Sequence, residues 1–327
     1  KMFYKNGWYE PLTGYDFSDY PKNAMDVASF GNKAYIVPLV TEWEVLYYRI
    51  DLLKKAGISV PTNFTELEAA AKKLHSGDIV GFASRGKGAA AVTQLSSYVY
   101  NYGGAYLDKG KAVFDSKEAL EAIRFYGRML ANYGPAGVTN MSWENIMPLF
   151  QAGKIALWTD ASVFYGQIVD PSKSQVPAEN VGIANFPAGP KGNTPFIVVS
   201  WGMSIAKQSK NKELANDFIK WATSKELAKR GMMANITMAR SSVWKDQEVR
   251  AKIHPSLIAT QDYAAKYGIP YDRPYMSAVG EARDLIGEVI IESINTAGTS
   301  PKLEAMAKEK AAAVNALLED TGEYGVY

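Results

Sequence analysis

Residues 35–52 read YIVPLVTEWEVLYYRIDL, and this stretch joins a predicted strand to a predicted helix. Ala34–Leu39 is apolar and β-branched but contains Pro38, which is typical of an edge or crossover strand rather than a central one. Val45–Ala56 has apolar residues at helical spacing and ends at Gly57, a residue type that often follows a helix C-terminus. The stretch therefore predicts a crossover followed directly by a helix.

Outward from this stretch, predicted strands and helices alternate along the chain. Asn63 is placed to cap a helix, and Glu66, three residues later, completes a capping-box pattern. Alternation of this kind indicates parallel α/β construction. The predicted strands are Ile79–Ala83, Ile155–Thr159 and Phe196–Val199, and the predicted helices are Asn63–His75, Ala90–Tyr102, Ser116–Tyr133, Trp143–Gln151, Asn211–Lys229, Met276–Thr296 and Leu303–Leu318.

Length and composition exclude several classes of function. A chain of 327 residues exceeds what one hydrophobic core usually organises, so we expect two lobes. Lys and Arg total 36 against 34 Asp and Glu, and no basic block is long enough to follow a phosphate backbone, so nucleic acid is not expected as a partner. The chain has no cysteine, which excludes disulfides and thiolate metal sites. We expect no cofactor and no metal.

A series of short motifs resembles the extracellular solute-binding proteins of carbohydrate ABC importers (family 1 type), and within them the members that bind polyols and monosaccharides. Each motif is weak alone, but their order and spacing cover nearly the whole chain. The motifs are Gly7–Leu12, Tyr35–Pro38, Glu42–Trp43, Leu46–Leu52, Arg85–Lys87, Tyr102–Gly104, Phe125–Tyr126, Tyr133–Pro135, Phe150–Ala161, Trp201–Ile205 and Ser209–Glu213.

The resemblance implies a periplasmic-binding-protein-like α/β fold of type II, with two lobes and a ligand cleft between them. Similar proteins place the Gly7–Leu12 motif well inside the first lobe, so we expect an N-terminal part of that lobe to be missing. The implied division assigns 1–37 and 203–245 to the N-terminal lobe, 42–194 to the C-terminal lobe and 251–320 to helices packing on the C-terminal lobe, with crossovers near 37–41, 195–202 and 241–250.

The same resemblance implies polar ligand-binding residues near the crossovers. Glu42 falls where relatives place a carboxylate that accepts hydrogen bonds from sugar hydroxyls. Arg85 matches a position that donates to vicinal hydroxyls through its planar guanidinium, and Gln94 is a further candidate. Asp160 contributes to the pocket in polyol-binding relatives, and Arg240 corresponds to an arginine near the third crossover, with a surface ion pair as its alternative role.

Aromatic residues supply the other half of the implied site. Trp43 and Trp201, the latter followed by Gly202, lie beside predicted crossovers, and a tryptophan face suits the C–H side of a sugar. Trp158 is two residues before Asp160 on a predicted strand, so both side chains would point to one face. Tyr275 would form a further aromatic wall. For each of these rings core packing is the alternative.

The sequence therefore predicts a binding protein rather than an enzyme, with hinge closure as its mechanism. Glu42 and Glu44 stand too close along the chain to flank a glycosidic bond, and His75 and His254 lie in different predicted elements. The expected partners are a small carbohydrate and the membrane permease subunits of an importer, with the protein a monomer in the periplasm or a lipoprotein at the cell surface. A different solute, such as an oligosaccharide, a peptide or an amine, is the alternative, and a carbohydrate-active enzyme is a more remote one.

Overall fold

The computed structural model describes residues 1–326, with Ser200 described by its backbone alone. The strands are β1 Tyr9–Glu10, β2 Ser29–Phe30, β3 Lys33–Ala34, β4 Val37–Arg49, β5 Val80–Ala83, β6 Leu107–Asp108, β7 Lys111–Ala112, β8 Ile155–Ala161, β9 Val181–Asn185, β10 Ile197–Met203 and β11 Ile205–Ala206.

Helices account for most of the remaining chain. They are α1 Met2–Lys5, α2 Lys22–Ala28, α3 Ile50–Ala56, α4 Phe64–Leu74, α5 Gly88–Tyr102, α6 Lys117–Tyr133, α7 Trp143–Gln151, α8 Tyr165–Ile168, α9 Lys212–Ala222, α10 Lys225–Met233, α11 Ser241–Lys245, α12 Gln247–Lys252, α13 Pro255–Tyr267, α14 Val279–Asn295 and α15 Leu303–Asp320. Single 3-10 turns occur at Val138–Asn140, Ser162–Phe164 and Ala178–Asn180.

The long strand β4 organises the main sheet, whose order is β10-β4-β8-β5 with β9 also paired to β4. Its first half, 37–43, pairs antiparallel with β10, and its second half pairs antiparallel with β8 and with β9. Only the β5–β8 pair of this sheet is parallel. The prediction of parallel construction is therefore wrong for most of the sheet, because β4 runs against each of its three neighbours.

Two hydrophobic cores lie on the two faces of β4. Leu46 packs into a core with helices α4, α5, α6, α14 and α15, whereas Trp43, Val45 and Tyr47 pack into the other with helices α7, α8 and α10 to α13. Successive side chains of a strand point to opposite faces, so one strand can serve both cores. A small third cluster links strand β11 and helix α9 to the residues before β4, and consists of Leu12, Tyr20, Val37, Ile205, Ile219 and Ala239.

Several predicted element boundaries are confirmed. Asn63 caps α4, since its side-chain oxygen accepts a hydrogen bond from Glu66 N at 2.9 Å, although the Glu66 carboxylate bonds to Thr62 rather than to Asn63. Ser116 caps α6 through Ala119 N. Helix α7 has the predicted bounds, Trp143–Gln151. These features depend on local sequence, which explains why they could be predicted.

Two predicted helices are wrong. The chain from Val45 to Arg49 is strand, because β8 and β9 pair with it on both edges, and only Ile50–Ala56 is helical. The predicted helix Asn211–Lys229 is two helices, α9 and α10. They are separated where Ser224 starts a new helix by accepting a hydrogen bond from Leu227 N at 3.3 Å.

The predicted crossovers have different structures. Residues 37–41 and 195–202 are largely the paired strands β4 and β10, whereas 241–250 form helices α11 and α12. Ala228, Met232 and Trp244 belong to the predicted N-terminal lobe, yet they share a core with Phe150 of the predicted C-terminal lobe. The division into lobes stays a prediction.

A substitution at Gly287 tests the close approach of α14 to α5. A Cβ on Gly287 would lie 2.6 Å from the carbonyl carbon of Gly88, so Gly287→Ala forces the two helices apart and we expect it to lower the free energy of unfolding by about 1–3 kcal/mol. Gly280 lies in the same helix with no atom within 4 Å of its Cβ position. Gly280→Ala should be neutral or stabilising, by up to about 1 kcal/mol. Chemical denaturation of both variants measures the difference, and equal effects would contradict this packing.

Candidate functional site

A cavity of about 820 Å³ opens beside the point where β4 changes partners from β10 to β8. Strands β4 and β10 form one wall, and the segment from the 3-10 turn Ser162–Phe164 through α8 forms another. The chain after α10 and the loop before α14 complete it. Its polar and aromatic lining residues include Glu42, Arg85, Trp143, Phe164, Gln167, Asp170, Lys173, Trp201, Asn235, Asp272 and Arg273. We refer to this cavity as the cleft.

Glu42 directs a carboxylate into the cleft from strand β4. Its side chain is 9% exposed, and no hydrogen bond from residues 1–326 reaches its carboxylate oxygens. Burial raises the pKa of Glu42 to about 7, with Asp272 and Asp160 also raising it and Arg85 and Arg273 opposing them. Its carboxylate oxygens face the cleft without a donor from the described residues, so Glu42 is free to accept a hydrogen bond from a hydroxyl group.

Arg85 reaches the cleft from the loop after β5 and is held by Asp160 on strand β8. Its Nε donates to Asp160 Oδ2 at 3.1 Å and its Nη2 to Oδ1 at 2.5 Å, a side-on pair. Asp160 also accepts hydrogen bonds from Gln94 Nε2 at 2.9 Å, Trp158 Nε1 at 3.3 Å and Ala161 N at 2.7 Å. Asp160 is fully buried, its oxygens are occupied, and it does not border the cleft, so what it does in this structure is hold Arg85.

A second arginine–aspartate pair was missed by the sequence analysis. Asp272 and Arg273 lie in the loop before α14, and Arg273 donates through Nε to Asp272 Oδ1 at 2.7 Å and through Nη2 to Oδ2. Both residues line the cleft. The sequence signal is an acidic and a basic residue between tyrosines and prolines, which a surface turn shows equally well. Only the tertiary structure brings this loop opposite Glu42.

The aromatic wall of the cleft is formed by Trp201, Trp143 and Phe164. Trp201 stands on β10 at a register shift and is 67% exposed, so one large ring face is open to the cleft and to solvent. Trp143 stacks on Phe164 with ring centroids 5.1 Å apart, and Phe164 in turn stacks on Trp158 at 5.6 Å. Trp158 is fully buried, so it supports this wall from behind.

The structure places the predicted site residues in different groups, some in the cleft and some behind it. Glu42, Arg85 and Trp201 meet in the cleft, while Gln94, Trp158 and Asp160 form a buried layer behind it. Trp43 needs a correction, because it points to the opposite face of β4 from Glu42. It is fully buried against Trp244, with its Nε1 donating to Thr260 Oγ1 at 3.1 Å.

Three further predicted residues lie elsewhere. Arg240 pairs with Asp19 at 3.1 Å and donates to the Thr223 carbonyl at 2.6 Å, so it forms an ion pair as in its alternative role, but a largely buried one rather than one at the surface. Gly202 borders a small neighbouring pocket instead of the cleft. Tyr275 lines a separate cavity of about 370 Å³ formed with Tyr100, Tyr106 and Tyr271, and Arg273 borders both this cavity and the cleft.

Residues 1–229 match the family of bacterial extracellular solute-binding proteins. This chain belongs to that family. The mannitol-binding protein of Pseudomonas aeruginosa is 31% identical over 237 residues, which are 68% of this chain and 53% of that protein. The chain thus spans about half the length of this relative.

Solved structures show the same fold. A solute-binding protein of Agrobacterium radiobacter K84 in complex with ribitol has a TM-score of 0.86 and 26% identity, over 97% of this chain and 82% of that one. A maltose-bound protein of T. maritima has a TM-score of 0.85, also with 26% identity and the same coverage. The fold is therefore of type II among periplasmic binding proteins. Within residues 1–326, no helix is both long and apolar enough to cross a membrane.

The role of Asp160 can be tested by Asp160→Asn. The variant keeps the shape but takes from the largely buried Arg85 the charge of its paired carboxylate, so we expect the free energy of unfolding to fall by about 3–5 kcal/mol. Asp262→Asn removes the acid of an exposed pair with Arg250 and should change stability little. Urea denaturation measures the free energy of unfolding of both variants. Equal losses would show that Asp160 does not specifically stabilise the buried pair.

The raised pKa of Glu42 predicts how stability depends on pH. Because the folded-state pKa of about 7 exceeds the ordinary 4.5, the folded chain prefers the protonated acid. The stability due to this group is complete below pH 4.5 and is lost as pH rises through 7, by about 3 kcal/mol. Glu42→Gln removes this loss. The free energy of unfolding of the variant, minus that of the unchanged protein, should therefore be larger at pH 8 than at pH 4. A gain that is the same at both pH values would refute the assignment.

Proposed function

We propose that this chain is the substrate-binding component of an ABC importer and binds a small carbohydrate, a sugar alcohol or a monosaccharide, by hinge closure. The observation that carries the proposal is the meeting of Glu42, Arg85, Arg273 and the open face of Trp201 in one cleft. A carboxylate acceptor, two guanidinium donors and an aromatic plate match a molecule with hydroxyl edges and C–H faces. The mannitol-binding and ribitol-bound relatives support this choice.

In the proposed bound state each wall contributes a different interaction. Glu42 accepts hydrogen bonds from one or two hydroxyls, and the arginines donate to hydroxyl oxygens through guanidinium nitrogens that their aspartates leave unused. The C–H face of the solute lies on Trp201. A handful of such bonds and one stacked face suffice for micromolar binding, about −8 kcal/mol in total.

Closure follows from the exposure of Trp201. The ring is 67% exposed in this structure, so a solute seated on it would still face water on one side. Movement of the two proposed lobes about the strands β4 and β10 would cover the ring and expel water. The solute favours the closed state only through contacts that the open state lacks. The closed shape is then what the permease subunits recognise.

A binding role fits the carboxylates better than a catalytic one. Glu44, two residues from Glu42 on the same strand, is fully buried and does not border the cleft. Hydrolysis of a glycosidic bond by two acids needs both to reach the sugar from different sides. We therefore propose a monomeric binding protein outside the cytoplasm, periplasmic or anchored as a surface lipoprotein, with no enzymatic activity.

The proposal predicts calorimetric binding of polyols or monosaccharides. Titration with mannitol, sorbitol, ribitol, erythritol, several hexoses and maltose should give micromolar dissociation constants for at least one small neutral sugar or alditol. Amino acids and short peptides should give no heat. Binding of maltose alone would favour the oligosaccharide alternative, and binding of peptides alone would contradict the proposed class.

Tryptophan fluorescence tests the place of Trp201 in this mechanism. Covering an exposed indole shifts its emission to shorter wavelength, so the active ligand should produce a blue shift that Trp201→Phe largely removes. Trp201→Phe should also weaken binding, because the larger indole face is lost. Trp221→Phe alters an equally open ring on α9, outside the cleft, and should keep the shift. A full shift in Trp201→Phe would place the solute elsewhere.

A further inference from the structure

The cations of the cleft share a feature that the proposed function does not use. Arg85 is paired with Asp160, and Arg273 with Asp272, in each case through Nε and Nη2. Lys173, at the rim, lies 3.5 Å from Asp170. Each cation lining the described cleft therefore has its own acid beside it, and its charge is largely neutralised before any solute arrives.

Glu42 has no such partner. No residue in the described range 1–326 forms a salt bridge or hydrogen bond with its carboxylate, although it is almost fully buried. The charged groups that act on it are Arg85 and Arg273, and their effect is opposed by Asp160 and Asp272. Among the charged residues that line the described cleft, Glu42 is thus the one without a partner of opposite charge.

The guanidinium edge that each aspartate occupies affects which solutes the arginines can bind. A guanidinium recognises a carboxylate or phosphate best through two parallel N–H groups. In Arg85 and Arg273 the Nε and Nη2 edge is already taken by an aspartate, so that edge cannot grip an acidic solute. Each guanidinium keeps two N–H groups on Nη1 and one on Nη2 that can donate to hydroxyl oxygens, while the charge that would attract an acid is already balanced by an aspartate.

We propose that the cleft selects its solute by charge, admitting neutral and cationic polyhydroxylated molecules and rejecting sugar acids and sugar phosphates, with Glu42 as the residue that sets this preference. The inference rests on the proposed function, since it names the chemical class that the same cleft would take. A carboxylate brought beside Glu42 meets a like charge, and the arginines that could offset it already have their charge balanced by Asp160 and Asp272. An ammonium group placed there gains an ion pair.

A matched series of alditol derivatives tests the proposal. Sorbitol, its 1-amino derivative glucamine and its 1-carboxyl counterpart gluconate differ mainly in the charge at one end, and ribitol, its 1-amino derivative and ribonate repeat the comparison on a shorter chain. Calorimetry at pH 8 keeps Glu42 ionised. In whichever series the neutral alditol binds, we expect the acid to bind at least about 30-fold more weakly and the amine to bind at least as tightly.

Glu42→Gln then assigns the preference to this residue. The amide keeps the size and one acceptor oxygen, so the neutral alditol should lose affinity modestly while the acid rises to within about threefold of it. Glu226→Gln makes the same change on the exposed face of α10 and should keep the original ranking. The wild-type protein offers a second measurement, because the discrimination should shrink at pH 5.5, where Glu42 is protonated while gluconate stays anionic.

The outcomes separate the two proposals. Equal affinity of the neutral alditol and its acid for the unchanged protein at pH 8 would overturn charge selection and leave polyol binding intact. If Glu42→Gln still prefers the neutral alditol over its acid to the same extent, Glu42 does not set the charge preference. If Glu42→Gln binds no member of the series, the loss of discrimination at pH 5.5 decides the question. Absence of binding by every neutral sugar and alditol would overturn the proposed function, and charge selection with it.

Discussion

The alternation of side chains along β4 is the constraint on which the rest of the structure depends. Trp43, Val45 and Tyr47 face one core, while Leu46 faces the other, and Glu42 opens into the cleft. Pairing with β10 at one end and with β8 and β9 at the other holds the strand in a single register. A shift of one residue would bury the acid in place of an aromatic ring and expose the ring in its place. Both cores and the candidate site therefore depend on one pairing register of β4.

The electrostatic arrangement behind the cleft follows from burial. Asp160 and Arg85 lose water when the sheet forms, and the pair is tolerable because Gln94, Trp158 and the Ala161 amide complete the hydrogen bonds of the carboxylate. Glu42 receives no such compensation from the described residues. Natural proteins tolerate a local conflict of this kind mainly where function requires it. Under the proposed function, the carboxylate whose burial is a cost to folding is also the group that receives the solute.

The ring of Trp201 is exposed and the cleft beside it is wide. Under the proposed function, this openness lets the solute enter before the lobes close on it. Arg273 borders both the cleft and the tyrosine-lined cavity around Tyr275. The loop that carries it, just before the long helix α14, therefore connects the site to the helices that pack on the sheet.

The sequence by itself determined the features that depend on neighbours in the chain, such as the caps at Asn63 and Ser116 and the bounds of helix α7. Ordered motifs also sufficed to recognise the family. The tertiary structure alone decided that 45–49 is strand, because its partners β8 and β9 come more than a hundred residues later, and short apolar runs suit either state. It also decided that Asp160 and Trp158 stand behind the cleft, and that Asp272 and Arg273 stand in it. Burial and pairing between distant segments leave no local pattern, so the sequence could not separate the residues that line the cleft from those buried behind it.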